Sequence, residues 1–170
     1  LQESEHKVKK LNTYLTESVL KRFLPKTLVD RVAAGELVLD LTPEPAIVTV
    51  VYTDLVSFTQ LSERLGAKLT ATILNQYLEA MTKVVFECGG TVDKFIGDGL
   101  MALFGAPEVL APQEQARRAI AAARLMYRSL EKLNKTWQEQ NIFSKNDSMP
   151  LRFRCGINQG TAVVGMFGGG

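Results

Sequence analysis

The order of apolar patterns along the 170 residues predicts an α+β fold, in which a mostly antiparallel sheet carries helices on one face. Three observations support this prediction. A β-branched run at 46–53 indicates a central strand, Gly97-Asp98-Gly99 between two apolar runs indicates a hairpin, and long helical patterns separate these strands. With 46% hydrophobic residues, a chain of this length can bury one core, so we expect a single compact domain.

The first 35 residues predict helix. Apolar residues recur at spacings of three and four, at Val8, Leu11, Leu15, Val19 and Phe23. Pro25 ends this stretch, and a short second helix is expected from Thr27, as its N-cap, to Ala34. Two interpretations of residues 1–40 stay open: a helix that packs on the domain, or a connecting segment that couples an upstream module to it.

The middle of the chain predicts a strand, two helical stretches and a hairpin. The run from Ala46 to Thr53 has little alternation, as in a strand covered on both faces, and Asp54 follows it. Leu55 to Thr59 lead into a helical stretch, and a longer helix is expected from about Lys68 to Cys88. The strands of the hairpin are expected at Thr91–Ile96 and Leu100–Phe104.

The last part predicts a long helix and a second hairpin. The helix opens near Pro112 and continues past Trp137. Leu151 to Ile157 alternates as a strand, Asn158-Gln159-Gly160 is read as a turn, and Thr161 to Phe167 as the final strand. The whole order resembles the beginning of a ferredoxin-like sheet.

Composition excludes several classes of function. The net charge of +2 comes from 20 basic and 18 acidic residues without a clustered basic stripe, so we expect no nucleic-acid partner. Cys88 and Cys155 form no CxxC pair and His6 is the lone histidine, which disfavours a disulfide framework, a zinc cluster and a His-based triad. No apolar run suggests a membrane span, and the start carries no signal pattern. We therefore expect a cytoplasmic domain, with an inner-membrane anchor elsewhere in the intact protein left open.

Two aspartates are candidate metal ligands. Asp54 ends the central strand and Asp98 lies in the hairpin turn, and adjacent strands would bring both carboxylates to one edge of the sheet. Two such carboxylates can hold a pair of Mg²⁺ ions. Taken singly, Asp54 fits a helix cap and Asp98 an ordinary Asp-Gly turn.

Other polar groups suggest a bound nucleotide. The helix start after Asp54 offers free N–H groups from Leu55 to Thr59 for phosphates, whereas no GxxxxGK[ST] motif is present. Strict alternation would place Lys94 on the face of Val92 and Ile96, where it either reaches solvent or donates to a purine ring. Arg154, with Arg152 on the same side of its strand, is either a solvated residue or part of a phosphate clamp.

Three blocks of sequence resemble class III adenylyl and guanylyl cyclases in their residues, their order and their spacing. They are the segments IVTVVYTDLVSFT at 47–59, GTVDKFIGDGLMALFGAP at 90–107 and RCGINQG at 154–160. The sequences of these blocks are most similar to those of bacterial adenylyl cyclases whose catalytic subunits are identical. The resemblance implies the class III nucleotide cyclase fold for residues 41–170 and a helical connecting segment for 1–40.

The resemblance also implies roles for individual residues. Asp54 and Asp98 would ligate two Mg²⁺ or Mn²⁺ ions with help from the carbonyl of Leu55. Triphosphate would be bound by Arg154 and by the amides of Val56, Ser57, Phe58 and Thr59. Lys94 stands where adenylyl cyclases carry a lysine that reads adenine, whereas guanylyl cyclases tend to place glutamate there.

The implied reaction is conversion of ATP to 3′,5′-cyclic AMP and pyrophosphate in intracellular signal transduction. The sites would lie between the two subunits of a head-to-tail homodimer, with the metal ligands from one subunit and Lys94 from the other. The alternatives are a guanylate or mixed-specificity cyclase, or a non-catalytic nucleotide-binding or dimerisation module. Family members continue into a segment with a second base-reading residue, an Asn and an Arg, so we expect this chain to be C-terminally incomplete and inactive alone.

Overall fold

The computed structural model describes residues 2–15, 20–38, 42–143 and 151–165. Its helices are α1 (Gln2–Tyr14), α2 (Lys26–Ala33), α3 (Phe58–Leu65), α4 (Ala67–Glu87) and α5 (Pro112–Glu139), with a short 3-10 helix at Leu20–Arg22. Its strands are β1 (Glu44–Leu55), β2 (Thr91–Ile96), β3 (Gly99–Phe104) and β4 (Phe153–Val164). These bounds confirm the expected central strand, first hairpin and long helices.

The four strands form one sheet in the order β2-β3-β1-β4, and every neighbouring pair is antiparallel. β1 therefore lies inside the sheet, with β3 on one side and β4 on the other. This arrangement confirms the α+β prediction of an antiparallel sheet with helices.

The core lies between one face of the sheet and the helices α4 and α5. Alternation along β1 turns Val51, Thr53 and Leu55 to this face, and all three are buried. The helices contribute fully buried side chains, among them Ile73, Tyr77 and Met81 from α4 and Met126 and Trp137 from α5. This packing fixes the end of β1, where Asp54 lies, against the helical layer.

A buried glutamine ties the start of α5 to β1. Gln115 is 1% exposed, and its amide nitrogen donates to the carbonyls of Ile47 at 2.9 Å and Leu110 at 2.8 Å. Its amide oxygen accepts a hydrogen bond from the Thr49 hydroxyl at 3.1 Å. Gly105 lies so close that a side chain there would collide with the Gln115 amide. The buried amide is thus hydrogen-bonded, as burial requires.

The predicted second hairpin is wrong. Asn158, Gln159 and Gly160 do not turn, because β4 runs continuously and pairs with β1 in register from Leu55↔Phe153 to Glu44↔Val164. The Gln159 amide donates to the Thr49 hydroxyl at 2.9 Å and to the carbonyl of Pro112 at 2.7 Å. Long-range pairing with β1 therefore overrides the local turn signal. Phe167, the expected end of the final strand, lies outside the described residues.

The N-terminal prediction is wrong in detail. Phe23 does not continue the helical stripe but lies in the turn after the 3-10 helix, while Val8 and Leu11 are exposed on α1. Val19 lies outside the described residues. Pro25, not Thr27, occupies the N-cap of α2, and it provides no side-chain hydrogen bond. Among the described helices, none combines the length and apolar character needed to cross a membrane.

Candidate active site

Strand pairing brings Asp54 and Asp98 to the same edge of the sheet. Asp54 is the second-last residue of β1, and Thr53 before it pairs with Leu100 near the start of β3. Asp98 lies directly before β3, in a turn that Gly97 enters with a φ of 59°. The end of β1 and the hairpin turn are therefore neighbours, as the sequence predicts.

The environment of Asp98 couples it electrostatically to Asp54. Burial, followed by the negative charge of Asp54, raises the pKa of the Asp98 carboxyl, while a hydrogen bond from the backbone N–H of Leu55 lowers it. Two carboxylates that repel each other in a partly buried place favour a cation between them. This position can therefore attract divalent metal.

Asp54 has a second partner, Arg154. The two residues are directly opposite on β1 and β4. The Nε of Arg154 donates to one carboxylate oxygen of Asp54 at 2.8 Å, and its Nη2 donates to the other at 2.9 Å. These bonds raise the pKa of the Arg154 guanidinium. The arginine predicted for the triphosphate thus lies at the site, but in this structure it binds the metal-ligand candidate itself.

The loop between β1 and α3 presents backbone N–H groups beside the carboxylates. Ser57 adopts a left-handed conformation with φ 55° and, at the N-cap of α3, makes no side-chain capping bond. Ser57 therefore does not cap α3 with its side chain, although its residue type suits an N-cap. The N–H of Val56 already donates to the carbonyl of Arg152 at 2.8 Å, which leaves Ser57, Phe58 and Thr59 as the better candidates for binding an anion.

Lys94 lies on a different face from the one that strict alternation predicts. A bulge at Asp93 interrupts β2, so that Val92 pairs with Ala102 and Lys94 with Met101. Ala102 belongs to the buried core, and Met101 is its neighbour on the opposite face. Lys94 is thus directed away from Val92, with a side chain 58% exposed and its ammonium 3.6 Å from the carboxylate of Asp93.

Lys94 therefore shares a face with the other candidates. Met101 pairs with both Lys94 and Tyr52, and Tyr52 precedes Asp54 by two residues on β1, while Arg154 is opposite Asp54. We call this the Tyr52 face, defined by Tyr52, Asp54, Lys94 and Arg154. It lies opposite the face that α4 and α5 cover.

Sequence reasoning missed two tyrosines near the carboxylates. The Tyr52 hydroxyl lies over Gly99, where a Cβ would be only 2.9 Å away. Tyr77, fully buried on α4, lies behind the same edge, and burial raises its pKa to about 12, although the Thr53 hydroxyl lowers it. Helical periodicity does place Tyr77 on the buried face with Met81, but no pattern indicates its proximity to the site.

The residues at this edge of the sheet are suited to binding divalent metal ions. In the described part of the chain, no His, Cys or further carboxylate joins Asp54 and Asp98 into a cluster of three. Mg²⁺ commonly binds through one or two carboxylates and takes its remaining ligands from water and substrate phosphates. A two-carboxylate edge beside free amide groups suits such binding.

The sheet and its helices match the catalytic domains of nucleotide cyclases of known structure. The family model for the adenylate and guanylate cyclase catalytic domain matches residues 42–169. The chain belongs to this family of class III cyclases.

Known relatives include cyclases for both bases. The chain is 33% identical over 121 residues to an adenylate cyclase of Anabaena cylindrica, covering 71% of this chain and 22% of the relative. It resembles the crystal structure of the adenylyl cyclase CyaB from P. aeruginosa with 36% identity and a TM-score of 0.68, covering 76% of this chain and 63% of that one. For the guanylyl cyclase Cya2 the identity is 35% and the TM-score 0.66, with coverage of 75% and 60%. The chain thus spans under two thirds of each of these relatives.

Proposed function

We propose that this protein is an adenylate cyclase, which converts ATP to 3′,5′-cyclic AMP and pyrophosphate in signal transduction. The observation that carries the proposal is the meeting of Asp54 and Asp98 at one sheet edge, next to the free N–H groups at the start of α3. Adenylate cyclases among the relatives support it.

In this proposal, Asp54, Asp98 and the carbonyl of Leu55 hold two Mg²⁺ or Mn²⁺ ions. When bound, these ions would supply Lewis-acid activation of the ribose 3′-hydroxyl and neutralise phosphate charge. The amides of Ser57, Phe58 and Thr59 orient the triphosphate. The 3′-hydroxyl gives its proton to water, and its oxygen forms a bond to the α-phosphorus while the bond to pyrophosphate breaks, so no protein nucleophile is required.

Arg154 changes partners in this scheme. The Arg154 side chain is 72% exposed while it binds both oxygens of Asp54, so it can move into solvent or toward a ligand without leaving a buried place. Solvent screens this ion pair, and an incoming cation would compete for the same carboxylate. The released guanidinium can then bind phosphate oxygens and stabilise the departing pyrophosphate.

Lys94 is proposed to read the base. An ammonium donates to the adenine N1 acceptor but suits the guanine N1–H donor poorly. The exposed position of Lys94 on the Tyr52 face supports a role toward a ligand rather than in the core. Guanylate or mixed-specificity activity is the second candidate, favoured by the likeness to the guanylyl cyclase Cya2.

We propose that two copies form a homodimer whose sites combine Asp54 and Asp98 of one subunit with Lys94 of the other. Location of the polar groups on the Tyr52 face, away from the helical layer, supports this assembly. Residues 1–40 would connect a regulatory or membrane module to the catalytic domain at 41–170, on the cytoplasmic side. A non-catalytic module is disfavoured, since both metal-binding aspartates are present.

Product analysis of the full-length protein tests the proposal. The protein would be incubated with ATP and with GTP in parallel, with Mg²⁺ or Mn²⁺, and the nucleotides separated by chromatography. We expect cyclic AMP and pyrophosphate in equal amounts, and much less cyclic GMP. Cyclic GMP as the main product would support the second candidate, and no cyclic nucleotide from either substrate would contradict both.

A further inference from the structure

We propose that Phe23, in the N-terminal segment, is a positioning residue for Lys94 and thereby contributes to base specificity. This inference rests on the proposed role of Lys94 as the base-reading residue. Phe23 touches no substrate in this account; it holds the part of β2 from which Lys94 projects.

The first observation is a hydrogen bond to the outer edge of β2. The backbone N–H of Val92 donates to the carbonyl of Phe23 at 2.7 Å. Because β2 is an edge strand of the described sheet, its outward N–H groups have no neighbouring strand to bind. The N-terminal segment therefore supplies the acceptor that the sheet does not.

The second observation is an aromatic contact on the other side of Lys94. The ring of Phe23 lies 6.4 Å from that of Phe95, tilted by 43°. Phe95 pairs with Leu100, a core residue, and Phe23 itself packs against the main core. One residue thus contacts β2 through its backbone at Val92 and through its side chain at Phe95.

The two residues between these contacts are Asp93 and Lys94, where the bulge lies. A bulge locally disrupts the ladder, and a shift of one residue exchanges the two faces of a strand. Without the bulge, Lys94 would follow strict alternation onto the face of Val92, toward the core. The contacts of Phe23 on both sides therefore stabilise the register that puts Lys94 on the Tyr52 face.

The side chain of Lys94 provides little of this positioning itself. It is 58% exposed, and its ammonium lies 3.6 Å from the carboxylate of the adjacent, exposed Asp93. Such surface pairs restrain a side chain weakly. The direction of Lys94 consequently depends on the backbone of β2, and so on Phe23.

The test compares Phe23→Ala with Arg31→Ala. Arg31 provides the matched control, because its ion pair with Glu108 at 3.3 Å ties α2 to the segment after β3 instead of to β2. Phe95→Leu is a second variant that removes the ring contact from the β2 side, in case Phe23→Ala folds poorly. The first readout is amide hydrogen exchange at Val92 and Lys94, and the second is the ratio of kcat/KM for ATP to that for GTP in the full-length protein.

We expect exchange at Val92 to become about tenfold faster in Phe23→Ala, as for a locally opened edge. The ATP to GTP ratio should fall by about threefold or more, because a misdirected lysine loses its discriminating bond. Phe95→Leu should shift both readouts in the same direction, and Arg31→Ala neither.

Unchanged exchange at Val92, or faster exchange with an unchanged ATP to GTP ratio, would overturn the positioning role. The Lys94→Glu variant distinguishes a failure of the positioning role of Phe23 from a failure of the proposed function. If Lys94→Glu alters the ratio and Phe23→Ala does not, only the positioning role is wrong. If neither alters the ratio, the base-reading role on which the inference rests is wrong.

Discussion

At the scale of single residues, Asp54 has more candidate partners than one carboxylate can serve at once. Arg154 binds both of its oxygens, while Asp98 lies close enough for the Asp54 charge to raise its pKa. The juxtaposition of Asp54 and Asp98 was predictable, because a strand end and a tight turn are strong local signals. The Arg154 bond was not, because cross-strand register depends on the whole of β4.

Arg154→Ala should change turnover and metal affinity in opposite directions. Turnover should fall by about 10²–10³-fold, as expected when a preorganised charge at a reacting phosphate is removed. Apparent Mn²⁺ affinity should rise, because Asp54 loses a competitor. Turnover assays and Mn²⁺ titration of Tm would measure the two effects, and near-normal turnover would contradict the role of Arg154. Arg154→Lys should recover little, since an ammonium cannot replace the guanidinium fork.

Lys94→Glu should lower turnover of ATP more than turnover of GTP. A base edge that loses its matching donor leaves polar atoms unpaired, at a cost of about 1–3 kcal/mol. Competing ATP and GTP in one reaction would measure the change in ratio. An unchanged ratio would make Lys94 an ordinary surface lysine paired with Asp93.

At the scale of elements, local patterns predicted the strands and helices well. They failed where contacts with segments distant in sequence determine the local structure. Asn158-Gln159-Gly160 has turn chemistry, yet β1 is long enough to pair with all of β4. The bulge at Asp93 has no local signal, and it occurs where Phe23 of the N-terminal segment contacts β2. The face of Lys94 was therefore unpredictable from the alternation of β2 alone.

Two buried hydroxyl groups, those of Tyr77 on α4 and Thr53 on β1, lie near each other between helix and sheet. Neither Tyr77 Oη nor Thr53 Oγ1 has a hydrogen-bond partner of good geometry, although both are buried and their proximity affects the Tyr77 pKa. Burying an unsatisfied hydroxyl is costly, so Tyr77→Phe should raise the unfolding free energy by about 1 kcal/mol. Chemical denaturation would measure this, with Tyr127→Phe on the exposed side of α5 as the control. A clear loss of stability would show that the two hydroxyls do bond.

At the scale of the whole molecule, the sheet separates the packed core on one face from the candidate site residues on the other. One face packs on α4 and α5, and the Tyr52 face carries Asp54, Lys94 and Arg154. Under the proposed dimer, such faces from two subunits would complete each other. This arrangement makes the two halves of a site separable by mutation.

Co-expression of Asp54→Asn and Lys94→Ala subunits should restore activity above the level of either variant alone. In a homodimer with shared sites, the mixed dimer has one site carrying both changes and one site carrying neither. Random pairing of equal amounts therefore gives about a quarter of the wild-type sites. Activity no greater than that of the better single variant would contradict a site shared between subunits.

If the edge formed by Asp54 and Asp98 is a metal-dependent cyclisation site, product formation and metal binding must be lost together when either carboxylate is removed. Cyclic AMP formation and the Mn²⁺-induced rise in Tm would be measured for the full-length wild type, Asp54→Asn, Asp98→Asn and the control Asp30→Asn. Wild type and Asp30→Asn should form cyclic AMP and gain about 1.4 kcal/mol of stability at Mn²⁺ ten times above its dissociation constant. Both site variants should remain folded but lose product formation and the Mn²⁺ effect. Near-normal cyclic AMP formation by either site variant at saturating metal would contradict the claim.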